Sequence, residues 1–174
     1  DLARQAVVHI PEDSGQPGTQ AHFEAIVQFT EQAARIMGGR TLLLMTANRR
    51  LKMAADILRE RLKAHDILVF DSVSDRRAAE GFRGASRALL IGSERYGEGL
   101  DIPGKALSLV IIEKINESMT RSPLAEARKA RTKFGLYDYD FPLRMMWLKR
   151  RVGRLIRSPS DTGAVVVFDA RYHG

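Results

Sequence analysis

Four segments of this chain are apolar with almost no alternation: Thr41–Met45, Ala88–Ile91, Leu107–Ile112 apart from Ser108, and Ala164–Phe168. A strand with one wet face alternates polar and apolar side chains, whereas a strand covered on both faces does not. Runs of this kind therefore predict a parallel sheet with helices on both sides. Taken with their flanks, the strands are expected at Val7–Ile10, Thr41–Met45, Ile67–Phe70, Ala88–Ile91, Leu107–Glu113 and Ala164–Asp169. Between them lie helical periodicities. Residues 20–37 read as an amphipathic helix stopped by Gly38-Gly39, and Asn48–Ala64 turns Leu51, Ala54, Ala55, Leu58 and Leu62 inward. Ser74–Phe82 reads as a short helix with Ser74 or Asp75 near its cap. The region 114–146 is less regular, with Pro123 and Pro142 at its boundaries. One doubly wound α/β domain over residues 1–174 is the expectation.

A chain of 174 residues can bury a proper core. Its apolar runs are too short to span a bilayer, and no signal peptide is visible, which points to an intracellular protein. With no cysteine, disulfides and thiolate metal sites are excluded. His9, His22, His65 and His173 lack ligand spacing, so no metal site is expected. The chain starts at Asp1 rather than methionine, as an excised piece of something larger would.

The net charge of +7 is unevenly placed. Residues 1–120 are neutral overall, while 121–157 hold eleven Lys/Arg against Glu126, Asp138 and Asp140. Such a concentration reads as a phosphate-facing surface, with Arg128, Lys129, Arg131 and Lys133 in its first half. Its second half is L-K-R-R-V-G-R-L-I-R at 148–157. On a helix Leu148, Val152 and Leu155 share one face and Arg150, Arg154 and Arg157 the other, with Gly153 leaving room for close approach. A solvated basic face is the bland alternative, and a membrane surface ranks below nucleic acid because no strongly apolar helix face accompanies the charge.

In doubly wound sheets, ligands gather beyond the carboxyl ends of the strands. One island there is Met45-Thr46-Ala47-Asn48, where Thr46 and Asn48 are good helix caps and a free helix N-terminus also binds phosphate. A second is the glycine-rich stretch 91–104. Its Gly99–Lys105 spacing matches a P-loop, but Ala106 stands where a Mg²⁺-ligating hydroxyl belongs and Pro103 removes an N–H. The domain is expected to lack a P-loop. Arginines poised for phosphate without one suggest half of a composite ATP site.

These residues resemble the second RecA-like motor domain of superfamily 2 DNA helicases of the DinG/XPD group. G-G-R-T-L-L-L-M-T-A-N at 38–48 is similar to motif IV, A-L-L-I-G-S-E-R-Y-G-E-G-L-D-I-P-G at 88–104 to motif V, and 148–171 to motif VI with its trailing strand. The resemblance runs in order over residues 7–171. It implies a RecA-like sheet, ATP and Mg²⁺ held mainly by a first RecA-like domain of the same protein, and 5′-to-3′ movement on single-stranded DNA by a nucleoid-associated enzyme. An iron–sulfur cluster, where the family has one, belongs to that other domain.

Residue by residue, Arg154 and Arg157 match the arginines that meet the γ-phosphate. Glu98, Gly99 and Asp101 match the motif V positions that link nucleotide to the DNA track. Ser93 and Thr46 match hydroxyl positions near the DNA backbone, and Asn48 closes motif IV. Arg150 replaces the family's glutamine and Arg151 its usual glycine, while I-N-E-S-M-T-R-S-P at 115–123 replaces a proline-rich segment. These departures suggest a divergent subgroup, phage-, plasmid- or CRISPR-associated. The expectation is a helicase domain inactive on its own; the alternative is a non-enzymatic nucleic-acid-binding module that retains the fold.

Overall fold

The computed structural model describes residues 5–75, 77–93, 107–115, 122–155 and 161–172, without the side chains of 136, 137 and 152–154. Six strands, β1 (Ala6–His9), β2 (Thr41–Met45), β3 (Leu68–Asp71), β4 (Ala88–Ser93), β5 (Leu109–Ile112) and β6 (Gly163–Val167), form one sheet. Their spatial order is β1-β6-β5-β2-β4-β3, and every pairing is parallel. The helices are α1 (Gln20–Ile36), α2 (Asn48–Lys63), α3 (Ala78–Gly84), α4 (Pro123–Lys129) and α5 (Phe141–Leu155).

The unbroken apolar runs find their explanation in two cores. Leu43, Met45, Leu89, Ile91, Ile111 and Val166 face α1 and α2, packing on Phe23, Ile26, Leu51, Leu58 and Leu62. Their sequence neighbours Leu42, Leu44, Leu90, Val110, Val165 and Val167 face the other way, onto Ala78, Phe82, Trp147 and Leu155. Successive side chains of a strand point to opposite faces, so both must be apolar when both faces are covered.

Local chemistry sets the ends of the elements. Thr19 caps α1 by accepting the His22 amide at 3.2 Å. Gly38 and Gly39, at φ 63° and 84°, end it. A Cβ on Gly39 would sit 2.3 Å from the Ala88 nitrogen, so only glycine lets this turn pass under β4.

The strands fall within two residues of their expected bounds, and two stretches differ more. The third helix begins at Ala78 rather than Ser74. Asp71 at the end of β3 accepts the Val73 and Ser74 amides at 3.2 and 2.7 Å, and Asp75 accepts the Arg77 amide, so this stretch is held as turns. Residues 122–146 are more regular than expected. Ser122 caps α4 with Pro123 in its first turn, a π-helical turn covers Leu136–Asp140, and α5 starts at Phe141. Pro142 thus opens the arginine-bearing helix, a position where its missing N–H has no helical partner to lose.

Candidate nucleic-acid interface

The register of β2 against β4 places Met45 opposite Ser93, so Thr46 and Ser93 come to one edge of the sheet, beyond or at its carboxyl ends. β5 ends beside them, and the residue that follows it, Glu113, is 1% exposed. Glu113 Oε2 accepts both the Thr46 amide at 2.6 Å and the Thr46 hydroxyl at 2.7 Å. Its Oε1 lies 3.7 Å from Arg50 Nη1. Arg50 in turn donates to the Gly18 and Thr19 carbonyls at 2.5 and 3.0 Å and sits over the Phe23 ring. One buried carboxylate therefore joins β5, the β2–α2 turn and the entry to α1. Ser93 donates its amide to Ser72 Oγ at 3.2 Å.

Helix capping by Thr46 or Asn48 does not occur. The N-cap of α2 is Ala47, which makes no side-chain cap hydrogen bond, and Asn48 is its exposed first residue. The Thr46 hydroxyl is directed to Glu113 instead. A similar buried acid closes the next strand: Asp169 accepts the Ile115 amide at 3.0 Å and a bidentate pair of 2.7 Å bonds from Arg171.

α5 spans the height of the sheet. Near its start, Arg144 hydrogen-bonds the Tyr172 hydroxyl, just past the carboxyl end of β6. At its far end the Leu155 side chain packs against Gly163, where β6 begins. The last turn of the arginine helix, containing Gly153 and Arg154, therefore lies at the amino edge of the sheet, away from Thr46 and Ser93. Arg150 is exposed and Leu155 buried, as the helical spacing predicts. Arg151 is 3% exposed, its guanidinium stacked 3.9 Å from the centre of the Trp147 ring and Nη1 donating to the Trp147 carbonyl. The Arg154 side chain, and Glu98, Gly99, Asp101 and Arg157 altogether, lie outside the described residues.

In the basic segment, Arg128, Arg131 and Lys133 are exposed. Lys129 is tied down: its ammonium lies 2.8 Å from buried Asp140 and 3.1 Å from Glu126. The Asp140 hydrogen bond, aided by Glu126, holds the Lys129 pKa above its ordinary value. Arg144 approaches the same Asp140 at 3.8 Å. The burial of Glu113 and Arg151, and the contacts it serves, escaped the sequence reading. The signals were an acid ending an apolar strand, and a Trp–Arg pair four residues apart on the helix.

Among the described residues, no three His, Asp or Glu side chains converge as a metal site, and no helix is long and apolar enough to cross a membrane. The family of helicase C-terminal domains matches residues 30–174. The chain belongs to that family. The ATP-dependent DNA helicase YoaA of Escherichia coli is 30% identical to this helicase domain over 179 residues, covering 98% of the chain and 27% of YoaA. The ATP-dependent helicase DinG of Mycobacterium tuberculosis is 31% identical over 175 residues, covering 97% of the chain and 26% of DinG. The chain thus spans about a quarter of these relatives. Among solved structures it is similar to the E. coli DEAD-box protein SrmB bound to regulator of ribonuclease activity A. That match has a TM-score of 0.56 at 16% identity and covers 97% of this chain and 79% of the other. Dbp5 of S. cerevisiae, bound to RNA and ADP BeF3, matches with TM-score 0.55 at 14% identity over 94% of this chain and 34% of that one. These likenesses show the RecA-like fold.

Proposed function

We propose that this domain is the C-terminal motor half of an ATP-dependent 5′-to-3′ single-stranded-DNA translocase or helicase. The observation that carries the reading is the Met45–Ser93 register, which brings the strands of the motif IV-like and motif V-like segments side by side in a RecA-like sheet, with Thr46 and Ser93 at one edge. That edge would follow the DNA backbone through Asn48, Ser93 and the neighbourhood of Thr46, with Arg128, Arg131 and Lys133 adding phosphate contacts. Glu98, Gly99, Asp101, Arg150 and Gly153 would couple this track to nucleotide. Arg154 and Arg157 would meet the γ-phosphate of ATP, held with Mg²⁺ mainly by a first RecA-like domain. ATP hydrolysis supplies the free energy of translocation. Arginine side chains placed on a transferred phosphoryl group act on the charge that develops in the transition state, and are worth roughly 10³-fold or more in turnover. YoaA and DinG are named as ATP-dependent helicases, in keeping with this assignment.

The test is single-stranded-DNA-stimulated ATP hydrolysis by the full polypeptide carrying this domain, beside its Arg157→Ala variant. Stimulated turnover that the variant loses while still binding DNA is the expected result. No stimulated turnover in either protein would overturn the motor assignment and leave a nucleic-acid-binding module.

A further inference from the structure

The segment that carries the chain's excess charge also exposes large apolar side chains. Leu124 is 61% exposed, Phe134 58%, Phe141 49% and Met146 52%. Phe134 is set apart from the others by its surroundings. It follows Arg128, Arg131 and Lys133 on a single compact turn. Arg131 and Thr132 donate their amides to the Arg128 and Lys129 carbonyls at 3.1 and 2.9 Å, which folds the chain back at the end of α4. Gly135 lies against Lys129 closely enough that a Cβ there would be 3.5 Å from the lysine's own Cβ. Asp138 then pins the Phe134 backbone from both sides: its Oδ2 accepts the Phe134 amide at 2.9 Å and its amide donates to the Phe134 carbonyl at 2.8 Å. The ring is therefore held on a fixed backbone at the surface. The Lys133 ammonium lies 5.3 Å from its centroid, and among the described residues the ring joins no aromatic pair.

We infer that Phe134 is a base-stacking platform for single-stranded nucleic acid, with Arg128, Arg131 and Lys133 holding the flanking phosphates. The inference rests on reading 121–157 as a DNA-binding surface. Charge complementarity selects the occupant: a surface with this excess of cations around an exposed ring matches the alternation of phosphate and base along a single strand. Successive phosphates there flank bases whose π-faces any aromatic side chain can cover without reading sequence. Lys133 can exchange the ring for a phosphate oxygen as the strand arrives, since an exposed cation–π contact is weak. A duplex keeps its bases stacked on one another and offers the ring nothing, so the surface favours single strands.

The experiment compares binding of two labelled probes to the full polypeptide: an oligothymidylate and an abasic oligonucleotide of equal length. Phosphates are common to both, and only the first has bases to stack. Phe134→Leu is expected to weaken oligothymidylate binding about fivefold or more, a fraction of what one stacked base contributes. It should leave abasic binding and the salt dependence of binding unchanged, and Phe134→Trp should restore the loss. Equal loss on both probes, or no loss on either, overturns the stacking role. A variant with Arg128, Arg131 and Lys133 all changed to alanine separates the two levels. If that variant binds with unaltered affinity and salt slope, the DNA-binding surface itself is refuted; if it weakens binding to both probes while Phe134→Leu weakens neither, only the platform is.

Discussion

Glu113 and Thr46 are joined by two short hydrogen bonds, 2.6 Å from the Thr46 amide and 2.7 Å from its hydroxyl, both to Glu113 Oε2. The single hydroxyl hydrogen of Thr46 is thereby committed to a buried carboxylate. A phosphate arriving at this edge would find acceptor lone pairs on Thr46 rather than a donor. Thr46 is thus placed to shape the β2–α2 turn, leaving phosphate contact to its neighbours.

If that is the division of labour, Thr46→Val and Glu113→Gln should be strongly non-additive. Thr46→Val removes the hydroxyl bond and leaves the backbone amide donating, while Glu113→Gln takes the charge from the shared acceptor and from the group facing Arg50, so both changes act on the hydroxyl–carboxylate bond. Each single variant is expected to cost about 1–3 kcal/mol in denaturant unfolding, with a coupling energy of at least ~0.5 kcal/mol in the cycle. Strict additivity would mean the two groups do not share their stabilisation.

Gly38 and Gly39 make a matched pair for a backbone test. Both have positive φ, 63° and 84°, but a Cβ on Gly38 meets nothing within 4 Å, whereas one on Gly39 meets the Ala88 nitrogen at 2.3 Å. Gly38→Ala should cost about 1 kcal/mol, the ordinary penalty of a left-handed conformation. Gly39→Ala adds a backbone collision with a central region of the sheet, and its midpoint of unfolding should fall well below that of Gly38→Ala. Similar melting temperatures for the two would contradict the close approach of this turn to β4.

How much of this was legible beforehand depends on which forces were local. The bounds of β2 match the expected Thr41–Met45, because a strand buried on both faces leaves an unbroken apolar run with sharp polar ends. α1 ends within a residue of expectation for the same reason, its stop being written in two glycines. Ser74 and Asp75 misled because cap-forming residues also form turns, and Asp71, on the preceding strand, decided in favour of turns. Glu113 and Arg151 were illegible in a deeper sense. Burial of a charge depends on partners brought together by the tertiary fold, and periodicity carries no record of them. The motif V acids and Arg157 lie outside the described residues, so the geometry around Asn48, Ser93 and Thr46 covers only part of the site inferred from resemblance.

Arg150 and Arg151 are adjacent in sequence and opposite in environment, so they should separate cleanly by mutation. Arg150→Ala removes an exposed side chain and should change stability by no more than ~0.5 kcal/mol. Arg151→Ala removes a buried guanidinium from the Trp147 ring and leaves a void beneath α5, at a cost of about 2–4 kcal/mol. Thermal unfolding of the two variants checks the contrast. Equal, small shifts would place Arg151 at the surface like Arg150.

Acid should reveal the turn after β3. Burial alone would raise the Asp71 carboxyl, but the Ser74 amide and hydroxyl, the Arg59 guanidinium and the Val73 amide outweigh it and hold the pKa below its ordinary 3.8. A carboxyl depressed in the folded state binds its proton more readily when unfolded. Its contribution to stability is therefore fully present above the unfolded value and is lost as pH falls through the lower, folded one. Asp71→Asn should unfold more easily than the parent at pH 6, where the carboxylate is charged in both states of the parent. The gap between the two proteins should narrow as pH drops from about 4 toward 2, because the parent loses the advantage that the amide never had. Denaturant midpoints of both proteins across that range measure it directly. A gap that stays constant with pH would show that the Asp71 bonds do not depend on its charge, and would leave Arg59, 3.0 Å from Oδ2, without a part in holding the turn.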